Sequence, residues 1–203
     1  MMITSIDQLD FNKKYNYSDY ILWKFQERVE LLKGKLFKMA APSLTHQKIS
    51  SNLHGLFWIH FRNHSCELYA APVDVRLPLP QHRATSDKID TVVQPDLCVI
   101  CDASKLVDNQ SCVGAPDLVV EILSPGNSRR EMKDKFELYE EAGVLEYWVV
   151  DPSRRSVLVY VLKNGGFIST GRPFLDDDIL NSTIFEDLKI DLSEVFPKET
   201  EAQ

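Results

Sequence analysis

Two short apolar groups lie close together near the start of the chain, at residues 29–32 and 36–39. The intervening Lys33-Gly34-Lys35 contains a glycine, which tolerates the positive φ that tight turns require. A β-hairpin is therefore predicted for this segment.

The next segment has a helical rather than an alternating pattern. Its apolar residues recur at spacings of three and four: Ile49, Leu53, Leu56, Phe57 and Phe61. This spacing places them on one face of a helix. Ser43 or Thr45 can accept a backbone N–H at the helix start, so we expect an amphipathic helix from there to about Arg62.

The middle of the chain predicts strands. Residues 67–77 end in an alternating pattern, and the polar residues 79–90 that follow suit a mobile flap. Strands are also predicted at 94–101 and 117–123, with an irregular link between them. Because the last two strands are almost entirely apolar, they are expected at the centre of a sheet.

A second helix and a further pair of strands follow. Residues 124–128 break the chain, and the pattern then predicts a helix over 129–142, ended by Gly143. Strands are predicted at 146–150 and 157–162. The order of elements indicates an α/β sandwich, with a central mixed β-sheet flanked by helices.

Length and composition favour one domain over residues 1–203. With 44% hydrophobic residues the chain can bury a full core. We expect residues 1–20 to form an irregular arm and the charged tail 197–203 to be frayed. The apolar runs are too short to cross a bilayer and the N-terminus lacks a secretory pattern, so no membrane association and a cytoplasmic location are expected.

The net charge and the cysteines limit the candidate functions further. A formal net charge of −7 excludes a uniformly basic surface, so any nucleic-acid site must be local. All four cysteines are expected to be reduced thiols, because a chain of this size does not need disulfides. Cys98 and Cys101 should face opposite sides of their strand, which argues against a zinc knuckle.

Two carboxylates interrupt the most apolar strands: Asp96 in VVQPDLCVI and Glu121 in PDLVVEILS. A buried carboxylate needs a partner, and a hard divalent cation can satisfy several oxygens at once. If the strands are neighbours, the two side chains converge on one site. A structural cap or a buried ion pair is the alternative interpretation from these residues alone.

Four segments carry a family resemblance, in the order VELLKGKLFKMAAPSLTHQKI, LYAAPVDVRLP, VVQPDLCVI and GAPDLVVEILSPGNSRREMKDKFELYEEAGVLEYWVVDP. Together they resemble the Uma family of putative restriction endonucleases, a branch of the PD-(D/E)XK nuclease superfamily. The resemblance covers residues 28–162 and implies a restriction-endonuclease-like core there. It also implies a Mg²⁺- or Mn²⁺-dependent endonuclease acting on DNA, with Asp96 and Glu121 as metal ligands.

The sequence departs from the superfamily motif at Leu123, where a lysine is expected. The resemblance implies that Lys135, on the following helix, takes its place, with Lys133 and Arg130 as alternatives. A carbonyl of Ile122 is a further expected metal ligand. Second-rank site candidates in the matching segments are Glu30, His46, Gln47 and Asp74.

Two functions remain open from the sequence. In an active nuclease, Lys135 would orient the attacking water or stabilise developing charge, and a homodimer would present two sites to two strands. Alternatively, Lys135 is a solvated helical residue paired with Glu131, and the fold serves as an inactive module for binding nucleic acid or protein. A histidine in the first turn of a helix, such as His46, is more often a surface or capping residue than a catalytic base.

Overall fold

The computed structural model describes residues 2–78, 89–107, 109–124 and 129–197, with side chains omitted for 129–131. The described α-helices are α1 (Tyr17–Tyr20), α2 (Leu44–Phe61) and α3 (Arg129–Ala142). Helix α2 begins after Ser43, whose side chain accepts the N–H of His46, so the first of the two predicted caps is correct. Helix α3 ends as predicted before Gly143, which has a φ of +91°.

The described strands are, in chain order, β1 (Val29–Leu32), β2 (Lys35–Lys38), β3 (Glu67–Ala70), β4 (Asp74–Arg76), β5 (Val92–Val93), β6 (Leu97–Ile100), β7 (Leu106–Val107), β8 (Ser111–Val113), β9 (Leu118–Ile122), β10 (Glu146–Asp151), β11 (Ser156–Lys163), β12 (Gly166–Ser169), β13 (Phe174–Leu175), β14 (Ile179–Asn181) and β15 (Lys189–Asp191). The predicted hairpin is β1–β2. Strands β9, β10 and β11 match the strands predicted at 117–123, 146–150 and 157–162 closely.

The larger sheet has the order β12-β11-β10-β9-β6-β3, with β13 paired to β11. It is mixed, because β9 and β10 run parallel while β6 is antiparallel to β9. Strand β9 is buried along its whole length, as is β6. The predicted α/β class with a central mixed sheet is therefore confirmed.

A second sheet has the order β2-β1-β5-β4-β8-β7. Two of the predicted strands, 67–77 and 94–101, differ from the observed ones. Residues 67–77 form β3 and β4, which belong to different sheets and are separated by the cis Ala71–Pro72 bond. Residues 94–101 yield only β6, because Pro95 lacks the N–H that a continuous ladder requires. The expected irregular link before Gly114 contains β7 and β8.

The two long helices cover opposite faces of the larger sheet. Helix α2 packs through residues such as Leu53 and Phe57 on the face that carries Trp148. Leu138 and Tyr139 of α3 pack on the face that carries Val119 and Tyr147. Because side chains alternate along β9, Glu121 shares the α3 face with Val119.

Both ends of the chain contribute core residues that the sequence pattern did not predict. In the N-terminal arm, Ile6, Leu9, Tyr15 and Trp23 are buried in a cluster with Leu31 of β1. The arm thus packs against β1. Residues 180–196 add another set to the α2 face: Leu180, Leu188, Ile190, Leu192, Val195 and Phe196.

The prediction that all cysteines are reduced is wrong. Cys66 and Cys101 form a disulfide, with their Cα atoms 3.9 Å apart. Glu67 pairs with Ile100 in the β3–β6 ladder, so the register places the two cysteines opposite each other. Chain size alone could not reveal this pairing. Cys98 and Cys112 are free and buried, and Cys98 faces the opposite core from Cys101, as predicted.

Three sequence expectations lie largely outside the described residues: the flap over 79–90, the break over 124–128 and the tail over 197–203. Within the described ranges, the chain contains no helix that is both long enough and apolar enough to span a bilayer.

Candidate active site

Asp96 and Glu121 lie on neighbouring strands of the larger sheet. Asp96 directly precedes β6, and Glu121 is near the end of β9, which is antiparallel to β6. The Oδ2 atom of Asp96 accepts the backbone N–H of Ile122 at 2.7 Å. This bond attaches Asp96 to the strand position next to Glu121.

Lys135 reaches the same place from helix α3. Its Nζ atom lies 2.9 Å from Oε1 of Glu121 and 3.1 Å from each carboxylate oxygen of Glu30. The Lys135 side chain is only 9% exposed. The alternative interpretation of Lys135 as a solvated helical residue is therefore wrong.

Tyr139 completes the α3 contribution. It lies one turn after Lys135, and its hydroxyl donates to Oε1 of Glu121 at 2.6 Å. One carboxylate oxygen thus accepts two hydrogen bonds from one face of the helix. These contacts hold the Glu121 side chain in a fixed orientation.

Glu30 connects this site to a second layer of polar residues. Its Oε1 atom accepts the backbone N–H of Gln94 at 2.8 Å. The Gln94 side chain donates to Asp74 at 2.9 Å and accepts from Nε of Arg28 at 2.9 Å. Gln94 therefore links Arg28 and Asp74 to the Glu30 carboxylate.

His46 occupies the first turn of α2. Its Nε2 atom lies 3.3 Å from Oδ2 of Asp96, and Nδ1 is buried without a hydrogen-bond partner among the described residues. Burial alone would lower the His46 pKa, but the hydrogen bond and charge of Asp96 outweigh it, so the pKa is raised. The Asp96 carboxylate thus stabilises the protonated form of His46.

The buried Glu121–Lys135 pair has perturbed protonation. Burial raises the pKa of Glu121 to about 7, against the opposing charge of Lys135. For Lys135, the charges of Glu121 and Glu30 outweigh the effect of burial and hold its pKa above the usual range. Lys135 is therefore cationic at neutral pH, whereas burial favours the protonated form of Glu121.

One pocket brings most of the predicted site residues together. Its lining residues are Arg28, Glu30, Lys38, Met39, Ala40, Pro42, His46, Asp96, Glu121, Ile122, Ser124 and Lys135. Both predicted carboxylates and Lys135 are included, as are Ile122, Glu30 and His46.

The remaining candidates lie elsewhere. Gln47 lines an adjoining groove, and Asp74 lies behind Glu30 through Gln94. Lys133 is exposed and pairs with Glu137 at 3.4 Å. The side chain of Arg130 is outside the described residues. Of the three basic candidates, Lys135 is the one that the described structure places at the carboxylates.

Sequence reasoning missed three residues of this neighbourhood: Tyr139, Gln94 and Arg28. Tyr139 could have been found from its spacing of four residues after Lys135 on a helix. Arg28 precedes Glu30 by two residues, so both side chains point to one side of the extended chain. Gln94 had no comparable signal, because its role depends on the packing of β1 against β5.

Two carboxylate oxygens remain available for a ligand. Oδ1 of Asp96 and Oε2 of Glu121 accept no hydrogen bond within the described part of the chain. Among the residues that the structure describes, no group of three or more His, Cys, Asp or Glu side chains is arranged to hold a metal. A cation here would therefore complete its shell with backbone oxygen, water or substrate.

Comparisons with known proteins agree with this architecture. A crystal structure titled as a putative nuclease belonging to DUF820, from Anabaena variabilis, superposes with a TM-score of 0.67. The match covers 90% of this chain and 97% of that one at 18% identity, so it supports the fold.

Two uncharacterized proteins of Synechocystis are related in sequence. The protein slr1290 is 26% identical over 156 residues, covering 75% of this chain and 77% of its own length. The protein sll1609 is 27% identical over 127 residues, covering 62% and 67% respectively. Residues 17–193 match the Uma2 family, described as putative restriction endonuclease. Since that match spans most of the sequence, the chain belongs to the Uma2 family.

Proposed function

We propose that this protein is a Mg²⁺- or Mn²⁺-dependent endonuclease that hydrolyses phosphodiester bonds of DNA. The observation that carries the proposal is the placement of Lys135, 2.9 Å from Glu121 and in one pocket with Asp96. Two carboxylates and a cationic amine around an open pocket are the groups that metal-assisted phosphoryl transfer requires.

The residues present suit a hard divalent cation. Asp96 and Glu121 each offer a carboxylate oxygen without a hydrogen bond in the described structure, and Ile122 lines the same pocket. Mg²⁺ and Mn²⁺ prefer such oxygen ligands and retain several waters. When bound, the cation would lower the pKa of a water and neutralise phosphate charge.

The chain's own residues would divide the remaining work. Lys135 would donate hydrogen bonds to the attacking water or to the charge that develops on the phosphate. Its raised pKa keeps it protonated for that role. Tyr139 and Glu30 would hold Glu121 and Lys135 in position, because each bonds one member of the pair.

The comparisons support the nuclease part of the proposal. The family is described as a putative restriction endonuclease, and the structural neighbour as a putative nuclease. The family description supports the proposal of DNA as the substrate. A homodimer would place two such pockets against the two strands of a duplex.

A second candidate is a nuclease fold that binds without cutting. The specific observations in its favour are Leu123 at the motif position and the engagement of Lys135 by two carboxylates. A nuclease fold of this kind would bind its nucleic-acid or protein partner equally well with and without a divalent cation. Cleavage is the property that separates the two candidates.

The test is incubation of purified protein with supercoiled, linear and single-stranded DNA in Mn²⁺, in Mg²⁺ and in EDTA. We expect products only with the cation present. Linearised supercoiled DNA without a nicked precursor would indicate two cooperating sites, as in a homodimer. Binding without products in either cation would favour the second candidate.

A further inference from the structure

Arg28 is a cationic residue in the pocket with unused hydrogen-bonding capacity. Its Nε atom donates to the Gln94 amide oxygen at 2.9 Å. Its Nη2 atom is buried and makes no hydrogen bond within the described chain. No ion pair of Arg28 occurs among the described residues, so a neutral amide, rather than a carboxylate, holds this guanidinium.

The position of Arg28 is equally specific. It lines the candidate active site and also a second groove that runs along α2. The two pockets share Pro42, His46 and Asp96 as well. The groove continues with Gln47, Ser50, Ser51, His54, Ala70 and Ala71. Arg28 therefore stands where the two pockets meet.

The chemistry of this junction suits a phosphate group. A buried guanidinium donor without an acceptor is unfavourable unless a ligand supplies one. Arginine presents its N–H groups in a planar fork that fits two phosphate oxygens. The groove beyond it offers hydroxyl, amide and imidazole groups, which can form hydrogen bonds to the sugar–phosphate chain.

We propose that Arg28 binds a backbone phosphate next to the scissile one, and that the substrate strand continues along the α2 groove. This inference rests on the proposed function in taking the ligand to be nucleic acid. It does not require hydrolysis, because the contact is made by the protein alone.

The test measures the Kd of fluorescein-labelled single-stranded and duplex oligonucleotides. Binding is monitored by fluorescence anisotropy in EDTA over a range of salt concentrations. Arg28→Gln should weaken binding about tenfold, as expected for loss of a charge-assisted hydrogen bond. It should also reduce the slope of log Kd against log salt by about one, because one fewer phosphate is neutralised. Arg28→Lys should retain the wild-type slope.

Lys163→Gln is the matched control, since it removes one positive charge from an exposed position outside both pockets. It should leave the affinity and the slope unchanged. If Arg28→Gln does not fold, Arg28→Met, which retains the aliphatic bulk of the side chain, replaces it. The same loss of affinity and of salt slope is expected. A purely structural role for Arg28 would not change the salt slope.

Folded Arg28 variants with wild-type affinity and slope would overturn the inference, as would wild-type protein that binds neither oligonucleotide. Cleavage in Mn²⁺ is scored separately. Arg28-dependent binding without cleavage would support this inference and contradict the hydrolysis proposal. Cleavage together with binding that does not depend on Arg28 would support the hydrolysis proposal and contradict the inference about Arg28.

Discussion

The Lys135 ammonium lies 2.9 Å from the Glu121 carboxylate, although 14 positions separate the two residues along the chain. Leu123, directly after β9, stands where the motif of the resembled superfamily has lysine, and it packs against the α3-side core. Helix α3 lies on that same face. The positively charged side chain beside Glu121 therefore comes from helix α3 rather than from the end of the strand.

Lys135→Met should reduce DNA cleavage at least a hundredfold, because the charge that develops on the phosphate loses its donor. It should also lower the free energy of unfolding by about 3 kcal/mol, since two buried carboxylates lose their counter-ion. Rates come from single-turnover assays and stability from urea titration. Lys133→Met removes an exposed ion pair and should change stability by less than about 0.5 kcal/mol. Full activity of Lys135→Met would rule out a catalytic role for this lysine.

His46→Ala should weaken the apparent Mn²⁺ affinity about tenfold without abolishing cleavage. His46 contacts Asp96 at 3.3 Å and would orient a metal ligand rather than bind the metal. Titration of the cleavage rate with Mn²⁺ measures this effect. His60→Ala, at the other end of α2, is the control. Unchanged metal dependence in His46→Ala would show that Asp96 needs no such support.

Glu121 makes stability depend on pH in an unusual direction. Its folded pKa of about 7 exceeds the ordinary value of 4.5, so the folded state binds the proton more tightly than the unfolded state. The resulting stabilisation is complete below about pH 4.5 and is lost as the pH rises through 7. Metal-free wild type should therefore lose stability relative to Glu121→Gln between pH 5 and 8.

Urea titrations of both proteins at several pH values measure that difference. Mn²⁺ should stabilise the wild type more at pH 8 than at pH 6, because the cation competes with the proton for Glu121. A difference between the two proteins that stays constant with pH would contradict the assignment of the raised pKa to Glu121.

Glu146 is predicted to be essential for stability and dispensable for chemistry. Its carboxylate accepts hydrogen bonds from Trp148 Nε1 and from the backbone N–H groups of Thr183 and Ile184, at 2.6, 2.7 and 3.0 Å. Glu146→Ala leaves these buried and half-buried donors unpaired, and we expect a loss of about 3 kcal/mol in the free energy of unfolding. Glu186→Ala, at an exposed position in the same segment, should cost little. Equal stability of the two variants in thermal melts would show that Glu146 does not anchor the C-terminal segment.

Much of the fold around the site follows from local patterns. The β1–β2 hairpin, helices α2 and α3, and strands β9 to β11 all have a clear period and recognisable ends. The convergence of Asp96 and Glu121 could also be expected, because both lie at the ends of apolar strands. The lysine could be identified only by resemblance, since its contact with Glu121 depends on how α3 docks.

Other features depend on long-range pairing that a local pattern does not encode. The Cys66–Cys101 disulfide follows from the β3–β6 register, and the change of sheet at Pro72 follows from the packing of two sheets. Arg28 and Gln94 meet across 66 positions of sequence. The burial of residues 180–196 against α2 likewise depends on the assembled sheet.

The proposed active site is tested most directly by the single-turnover cleavage rate in Mn²⁺ for wild type, Asp96→Ala and the control Asp177→Ala, whose carboxylate is exposed and far along the chain. We expect cleavage by the wild type and the control, and a loss of about a hundredfold or more in Asp96→Ala. Equal rates for all three folded proteins would contradict the assignment of the active site.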